Sequence, residues 1–164
     1  MPSKKICETL DEIKVFREEI SNLNEKDKNY VEFNNFVEVY YYDLLSHSEA
    51  HKTGKIRFQE DVCKEYLRIS SISWLFILYR FIEDLITEKK VKCIDRLEVS
   101  NKHTLNGIRH VRNAHHNKTW IHTKKDYNFV LGKDIIYLKK GKTVPALRTL
   151  DLMKEIWNLY LELL

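Results

Sequence analysis

Apolar residues recur at steps of three and four along most of this chain, and few backbone-breaking residues interrupt them. The first such stripe consists of Ile6, Leu10, Ile13, Phe16, Ile20 and Leu23. This spacing places side chains on one face of an α-helix. The 164 residues contain only 4 Gly and 2 Pro, so long helices can continue without interruption. The sequence therefore predicts a mainly helical protein.

The same spacing predicts two further helices in the first half of the chain. One covers about residues 33–50, and an unbroken helical pattern follows from about 57 to 87. The middle of this third helix, residues 69–86, is apolar nearly all round, which is typical of a helix that is surrounded by others. We therefore expect it to lie at the centre of the helical packing.

Two more helices are predicted in the second half of the chain. Ser100 or Asn101 is suited to cap a fourth helix because its short polar side chain can accept a hydrogen bond from the first turn. Gly107 weakens that helix by roughly 1 kcal/mol relative to alanine. Pro145 can start the last helix, since its fixed φ suits the first helical position.

A short β-hairpin is predicted between these two helices. Residues 127–131 and 135–138 are apolar runs on either side of the turn sequence Gly132-Lys133-Asp134. No linker or repeat interrupts the chain. We therefore predict one all-α domain over residues 1–164, an antiparallel four-helix-type bundle of about five helices with one short β-hairpin before the C-terminal helix.

The cysteines and the apolar runs predict where the protein resides. Cys7, Cys63 and Cys93 are odd in number and lack CxxC spacing, which favours reduced thiols over disulfides or a zinc knuckle. The longest apolar run, residues 72–79, is far shorter than the roughly 20 residues that a membrane span needs. We expect a cytoplasmic protein without a membrane partner.

The basic charge is concentrated in one stretch, residues 101–125, which we call the basic segment. It contains no acid and holds five of the seven histidines. Its cations are Lys102, Arg109, Arg112, Lys118, Lys124 and Lys125. The whole chain carries a net charge of +4, so the rest of the chain is slightly acidic. This distribution is expected of a phosphate-binding surface, and the alternative is a solvated basic helix face.

Helical geometry groups several of these residues. Arg109, Arg112 and His116 fall within about 60° of arc on one helical face, with Asn113 beside them. His115 lies about 120° from Arg109, toward the apolar side, and would pack there in an unbroken helix. If the helix ended near Asn113, His115 could turn toward the cations instead. Both histidines therefore remain candidates.

Imidazole and guanidinium groups together supply what metal-free RNA cleavage requires. An imidazole with a pKa of about 6.5 can accept and return a proton near neutral pH. A guanidinium keeps its charge and can bind two phosphate oxygens at once. Such groups can activate a ribose 2′-hydroxyl, stabilise the anionic phosphorus centre and protonate the leaving 5′-oxygen.

Residues 109–116 (RHVRNAHH) resemble the signature of the HEPN superfamily. That signature is an arginine, usually followed by a polar residue, and then a histidine after four to six intervening residues. Arg109 followed by His110 fits it, with His115 or His116 as the histidine. The resemblance covers about ten residues, while the order of predicted helices is compatible over most of the chain.

This resemblance implies a helical homodimer with the motif at its interface and metal-independent endoribonuclease activity in toxin–antitoxin systems or phage defence. The implied catalytic residues are Arg109 and His115 or His116, with no cofactor and no metal. The candidate phosphate- or RNA-binding residues of the basic segment are Arg112, Asn113, His110, Lys118 and Trp120. The implied partners are RNA, a second copy of the chain and an antitoxin or sensor protein. The alternative function is a non-catalytic RNA-, nucleotide- or protein-binding HEPN module.

A metal site is a competing interpretation of the histidines. A zinc ion could in principle be bound by His110, His115, His116 and His122 with Cys93. The spacing matches neither HExxH nor CxxC, and no carboxylate lies nearby in the sequence. We therefore expect no metal.

Two further positions have open alternatives. Trp120 is suited either to stacking on a nucleobase or to clamping its loop onto the protein. On the third helix, Arg80 is spaced to pair with Glu83 and Asp84. Alternatively, one of these carboxylates crosses to orient an arginine of the basic segment.

Overall fold

The computed structural model of the protein describes residues 2–21, 27–52, 60–88, 97–117 and 119–164. These residues form five α-helices and one two-stranded antiparallel hairpin. The elements are α1 (Pro2–Ile20), α2 (Lys28–Lys52), α3 (Glu60–Glu88), α4 (Val99–His116), β1 (Tyr127–Leu131), β2 (Asp134–Leu138) and α5 (Thr149–Leu163). The predicted helical class and the hairpin before the last helix are confirmed.

The chain divides into two compact units, Met1–Arg68 and Ile69–Leu164. Helices α1 and α2 and the start of α3 belong to the first unit, and all later elements belong to the second. The predicted single domain over residues 1–164 stays a prediction. Among the described helices, none combines the length and the apolar character needed to cross a membrane.

The first unit is built on the apolar stripes of α1 and α2. Of the predicted α1 stripe, Leu23 lies outside the described residues, and the other members are all buried. The rings of Phe16 and Phe33 meet edge to face, with centroids 6.4 Å apart. The hydroxyl of Tyr30 donates a hydrogen bond of 2.7 Å to the carbonyl of Ile20, which ties the start of α2 to the end of α1.

Helix α3 is less enclosed than its composition predicts. Ile69 is 54% exposed and Ile77 is 41% exposed, although both belong to the stretch expected to be surrounded. In the same stretch Leu75 and Leu78 are buried, so α3 has one covered side and one open side. The prediction of an all-round buried helix is therefore wrong for this open side.

Helix α4 begins at Val99, before either residue predicted to cap it. Its N-cap is Glu98, which makes no side-chain capping bond. The side-chain amide of Asn101 instead donates to the carboxylate of Glu162 on α5, at 2.5 Å. The capping prediction is wrong because Ser100 and Asn101 both lie inside the helix, and the polar group of Asn101 is used by a tertiary partner.

Helix α5 begins at Thr149, so the prediction of a start at Pro145 is also wrong. The residue before it, Arg148, is extended, with φ −65° and ψ 122°. This extended residue prevents a continuous helix between Pro145 and Thr149. The apolar residues Leu150, Met153, Trp157 and Tyr160 of α5 are buried, whereas Leu164, just after its end, is 61% exposed.

The hairpin has one inner and one outer face. Phe129 and Leu131 of β1 are buried, whereas Val130 and its partner Ile135 on β2 are exposed. The turn starts at Gly132, whose φ of 61° is a conformation that glycine adopts without steric cost.

The inner face of the hairpin packs against α4 at Gly107. A Cβ added there would overlap the ring of Phe129. The residue that weakens α4 in isolation is therefore the one that lets β1 pack against it. This contact places the hairpin beside the basic segment.

Candidate functional site

Helix α4 separates the basic segment into a buried face and an exposed face. Its buried residues are Thr104, Gly107, Ile108, Val111, Ala114 and His115. Arg109, Asn113 and His116 are exposed. Because α4 continues to His116 rather than ending near Asn113, the helical period decides the position of every residue in the motif.

The two adjacent histidines lie in different environments. His115 is 8% exposed, and its ring meets that of Trp120 at a centroid distance of 6.0 Å. His116 is exposed, and its ring lies 6.3 Å from that of Phe76 on α3. The structure therefore places His116 on the exposed face with Arg109. His115 packs on the buried face, which is the alternative expected for an unbroken helix.

A cleft of about 360 Å³ lies along the exposed face of α4; we call it the histidine cleft. Its lining includes Arg109, His110, Asn113, His116, His122 and Lys124. Four of the residues predicted from the sequence therefore meet at one cavity. The sequence interpretation assigned no role to Lys124, although its charge was visible within the basic segment.

Burial and positive neighbours control the charge of His110. This half-buried ring lies 5.4 Å from the ring of His122. Burial lowers the pKa of His110 below its ordinary value, and His122, Arg109 and Lys124 lower it further. The imidazole is therefore neutral at neutral pH and can accept a proton.

Arg109 is held by the residue one turn before it. One of its terminal nitrogens donates a hydrogen bond of 2.6 Å to the side-chain oxygen of Asn106. A guanidinium has five N–H donors in a planar fork, so this bond orients the group and leaves donors for a second acceptor. Arg109 also lines a second, larger cleft.

A chain of hydrogen bonds continues from Asn106 into the hairpin. The Asn106 amide donates to the Tyr127 hydroxyl at 3.5 Å, and that hydroxyl lies 2.9 Å from Nδ1 of His103. On the other side of the ring, Nε2 of His103 lies 2.6 Å from the carbonyl oxygen of Asn128. Since a carbonyl only accepts, Nε2 carries a hydrogen and donates it to Asn128. The Tyr127 hydroxyl donates its one hydrogen to the backbone carbonyl of His103 at 2.7 Å.

Sequence reasoning missed this chain because its members are distant along the polypeptide. Asn106 and Tyr127 are 21 residues apart, and His103 and Asn128 are 25 apart. The available signal was the alternation of β1, which puts Tyr127 on the same face as Phe129. Identifying the partner of that face required the packing on Gly107.

The second cleft has a volume of about 990 Å³ and lies between α3, α4 and β1; we call it the aromatic cleft. Its lining includes Tyr79, Glu83, Lys102, His103, Arg112 and Tyr127. Arg109 lines both clefts and therefore stands at their junction.

Arg112 belongs to the aromatic cleft rather than to the histidine cleft. Its guanidinium lies 5.2 Å from the centroid of the Tyr79 ring and donates to the Asn113 side chain at 2.9 Å. Its other terminal nitrogen lies 3.9 Å from a carboxylate oxygen of Glu83. Burial raises the pKa of the Tyr79 phenol, and Glu83 raises it further against the opposite effects of Arg109 and Arg112.

The two carboxylates of α3, Asp84 and Glu83, make different contacts: one pairs within α3 and the other crosses to α4. Asp84 pairs with Arg80 at 3.4 Å on the surface of α3. Glu83 instead reaches across to Arg112 of α4. The tertiary contact of Glu83 is one that helical spacing within α3 does not reveal.

Backbone hydrogen bonds fix the loop after α4. Trp120 has a φ of 53°, rare for a residue with a side chain, and its N–H donates to the carbonyl of Ala114 at 3.2 Å. Its own carbonyl accepts from the N–H of Val144 at 2.8 Å. This geometry supports the clamping alternative for Trp120, although its side chain is 38% exposed. Lys118 lies outside the described residues.

The described histidines do not form a set of metal ligands. Among the described residues, no group of three or more His, Cys, Asp or Glu side chains is placed to hold a metal ion. His122 is buried, and its Nε2 lies 2.7 Å from the carbonyl oxygen of Lys125. Cys93, the proposed sulfur ligand, lies outside the described residues.

Comparison with known proteins supplies no family for this chain. No protein-family model, curated protein or solved structure matches it. The resemblance of residues 109–116 to the HEPN signature therefore stays a prediction.

Proposed function

We propose that this protein is a metal-independent endoribonuclease of the HEPN type that acts as a homodimer. The observation that carries the proposal is the histidine cleft, where Arg109 and Asn113 share one cavity with the imidazoles of His110 and His116. A fixed cation, a polar amide and two proton-transfer groups are suited to a phosphodiester.

The proposed reaction is an internal transesterification of RNA. The 2′-oxygen of a ribose bonds to the adjacent phosphorus, and the bond from phosphorus to the 5′-oxygen breaks. The products are a 2′,3′-cyclic phosphate and a 5′-hydroxyl, so one proton leaves the 2′-oxygen and one joins the 5′-oxygen.

Each group has a role in this reaction. Arg109 binds the phosphate oxygens and stabilises the charge that develops on them. His116 is the acid–base residue. His110 is a second imidazole whose lowered pKa keeps it neutral and able to accept a proton. His115 is a packing residue, since it is buried on the opposite face of α4.

The homodimer and the biological role are supported by the motif resemblance. A second copy related by a two-fold axis would bring another arginine and histidine to the same RNA strand. The resemblance also supports a role in a toxin–antitoxin system or phage defence, with an antitoxin or sensor protein as a further partner. The odd number of cysteines and their lack of CxxC spacing support a cytoplasmic location.

A cleavage assay with adjacent-residue variants tests the proposal. The protein is incubated with single-stranded RNA in EDTA, and the 5′ fragment is examined for a 2′,3′-cyclic phosphate. We expect His116→Ala to reduce cleavage by roughly 10²- to 10⁴-fold while RNA binding is retained. The matched control, His115→Ala, should stay within a few-fold of the unchanged protein when measured well below its unfolding temperature.

The other outcomes contradict the proposal in distinct ways. If neither the unchanged protein nor the variants cleave RNA but all bind it with salt-dependent affinity, the protein is a non-catalytic binding module. Equal losses in both variants would assign the effect to folding. Without salt-dependent RNA affinity, the basic segment is an ordinary helix face.

A further inference from the structure

The aromatic cleft adjoins the proposed catalytic site through a single shared residue. Arg109 lines both cavities, and Asn106 fixes its guanidinium at their junction. If Arg109 holds the scissile phosphate, a nucleotide next to that phosphate lies at the mouth of the aromatic cleft. The inference that follows rests on the proposed function and concerns what this cleft accepts.

Hydrogen-bond acceptors distinguish the aromatic cleft from the histidine cleft. Glu83 and Asp84 line it beside its cations, and a carboxylate can accept hydrogen bonds from the N–H groups of a base, which a phosphate does not offer. The histidine cleft, in contrast, has no carboxylate among its lining residues. The two cavities are therefore suited to the two chemically different parts of a nucleotide.

The cleft also contains a preorganised aromatic platform. The rings of His103 and Tyr127 stack with centroids 4.5 Å apart and planes 24° from parallel. Hydrogen bonds to Asn128 and Asn106 fix this pair in place. Bases stack on such aromatic groups because every base has a π-face, so the platform by itself favours no particular base.

Glu83 supplies the group that discriminates among bases. Asp84 pairs with Arg80 at 3.4 Å, whereas the contact of Glu83 with Arg112 is 3.9 Å and longer than a hydrogen bond. A carboxylate has two oxygens and only accepts hydrogen bonds. Its best partner among the bases therefore has two adjacent N–H donors.

Guanine is the base with that arrangement. Its N1–H and N2 amino group lie side by side on the Watson–Crick edge, whereas the amino groups of adenine and cytosine adjoin a ring nitrogen that accepts. We propose that the aromatic cleft binds a guanine base next to the scissile phosphate, with Glu83 accepting hydrogen bonds from its Watson–Crick edge.

Inosine provides an atomic test because it lacks only the N2 amino group of guanosine. Short single-stranded RNAs containing one guanosine or one inosine in a uridine background are compared with the full protein. We expect cleavage beside guanosine to be about tenfold faster or more, since inosine removes one charge-assisted hydrogen bond. Glu83→Gln should bring the guanosine-to-inosine ratio to within about twofold.

Asp134→Asn is the matched control, since it also converts a carboxylate to an amide, at an exposed position outside both clefts. It should leave the ratio unchanged. An equal change in this control would assign the effect to overall charge and overturn the role of Glu83. A wild-type ratio near one, or a ratio unaffected by Glu83→Gln, would overturn the guanine subsite.

A binding measurement separates this inference from the proposed activity. With the His116→Ala protein, the affinities of the two RNAs are compared by fluorescence anisotropy, with and without Glu83→Gln. A guanosine preference that Glu83→Gln abolishes supports the subsite even if the unchanged protein cleaves nothing. Equal affinities for both RNAs would overturn it even if the protein is a ribonuclease.

Discussion

The two faces of α4 carry adjacent residues with opposite environments. Ile108 and His115 are buried, whereas Arg109 and His116, each the next residue, are exposed. A helix turns by about 100° per residue, so one step along the chain moves a side chain from the core to a cleft. The chemistry of the basic segment therefore depends on helical phase more than on its histidine content.

The sharpest test of this comparison substitutes two neighbours. Ile108→Ala removes a fully buried side chain, so we expect the free energy of unfolding to fall by about 2–5 kcal/mol. Arg109→Ala should change stability by less than about 0.5 kcal/mol but reduce RNA cleavage by roughly 10²- to 10³-fold. Urea unfolding and cleavage rates measure the two effects, and similar profiles for both variants would refute the separation of faces.

A methyl group added at Gly107, where the hairpin packs, tests the buried face of α4 alone. Gly107→Ala places a Cβ against the Phe129 ring, so we expect a loss of about 1–3 kcal/mol despite the better helix propensity of alanine. Thermal unfolding measures this loss. Asn113→Ala on the exposed face is the control and should remain within about 0.5 kcal/mol of the unchanged protein. A Gly107→Ala protein as stable as wild type would contradict the packing of β1 on α4.

Removing a tyrosine hydroxyl from each face of the hairpin compares how much the two faces contribute to stability. Tyr127→Phe breaks the hydrogen bonds to His103, so we expect a loss of about 1 kcal/mol. Tyr137→Phe is the matched change at an exposed position on the outer face and should have almost no effect. Equal values in urea unfolding would show that the hydrogen-bonded chain contributes nothing to stability.

The smallest effect is expected from the charge of His110. Because its pKa is lowered in the folded protein, the stability it contributes is complete above the ordinary histidine pKa of about 6.5. That stability is lost as the pH falls through this value toward the lower pKa of the folded state. His110→Gln should therefore reduce the drop in unfolding free energy between about pH 7.5 and about pH 5.5. An unchanged drop would mean that the His110 pKa is not lowered.

Local periodicity was enough to predict most elements of the fold. The stripes of α1 and α2 and the hairpin follow from spacing and turn residues, because these signals arise within a few residues of one another. The start of α4 did not follow, since Asn101 bonds to a residue 61 positions later. The open side of α3 was also missed, because composition does not specify what a helix packs against.

The part of the candidate site that lies within α4 was also predictable from local periodicity. The helical wheel grouped Arg109, Arg112 and His116, with Asn113 beside them. Arg109, Asn113 and His116 meet in the histidine cleft, whereas Arg112 lines the aromatic cleft. The choice between His115 and His116 depended on where α4 ends, which hydrogen bonds beyond the motif determine. Glu83 and Tyr127 approach the site from other elements, so no spacing within the basic segment could identify their contacts.

The contact between Gly107 and Phe129 also constrains how this protein can change over evolutionary time. The ring occupies the space that any larger residue at 107 would need. A lineage that acquires alanine or serine there must first, or at once, reduce the aromatic residue at 129. In divergent descendants these two positions should therefore be exchanged as a pair.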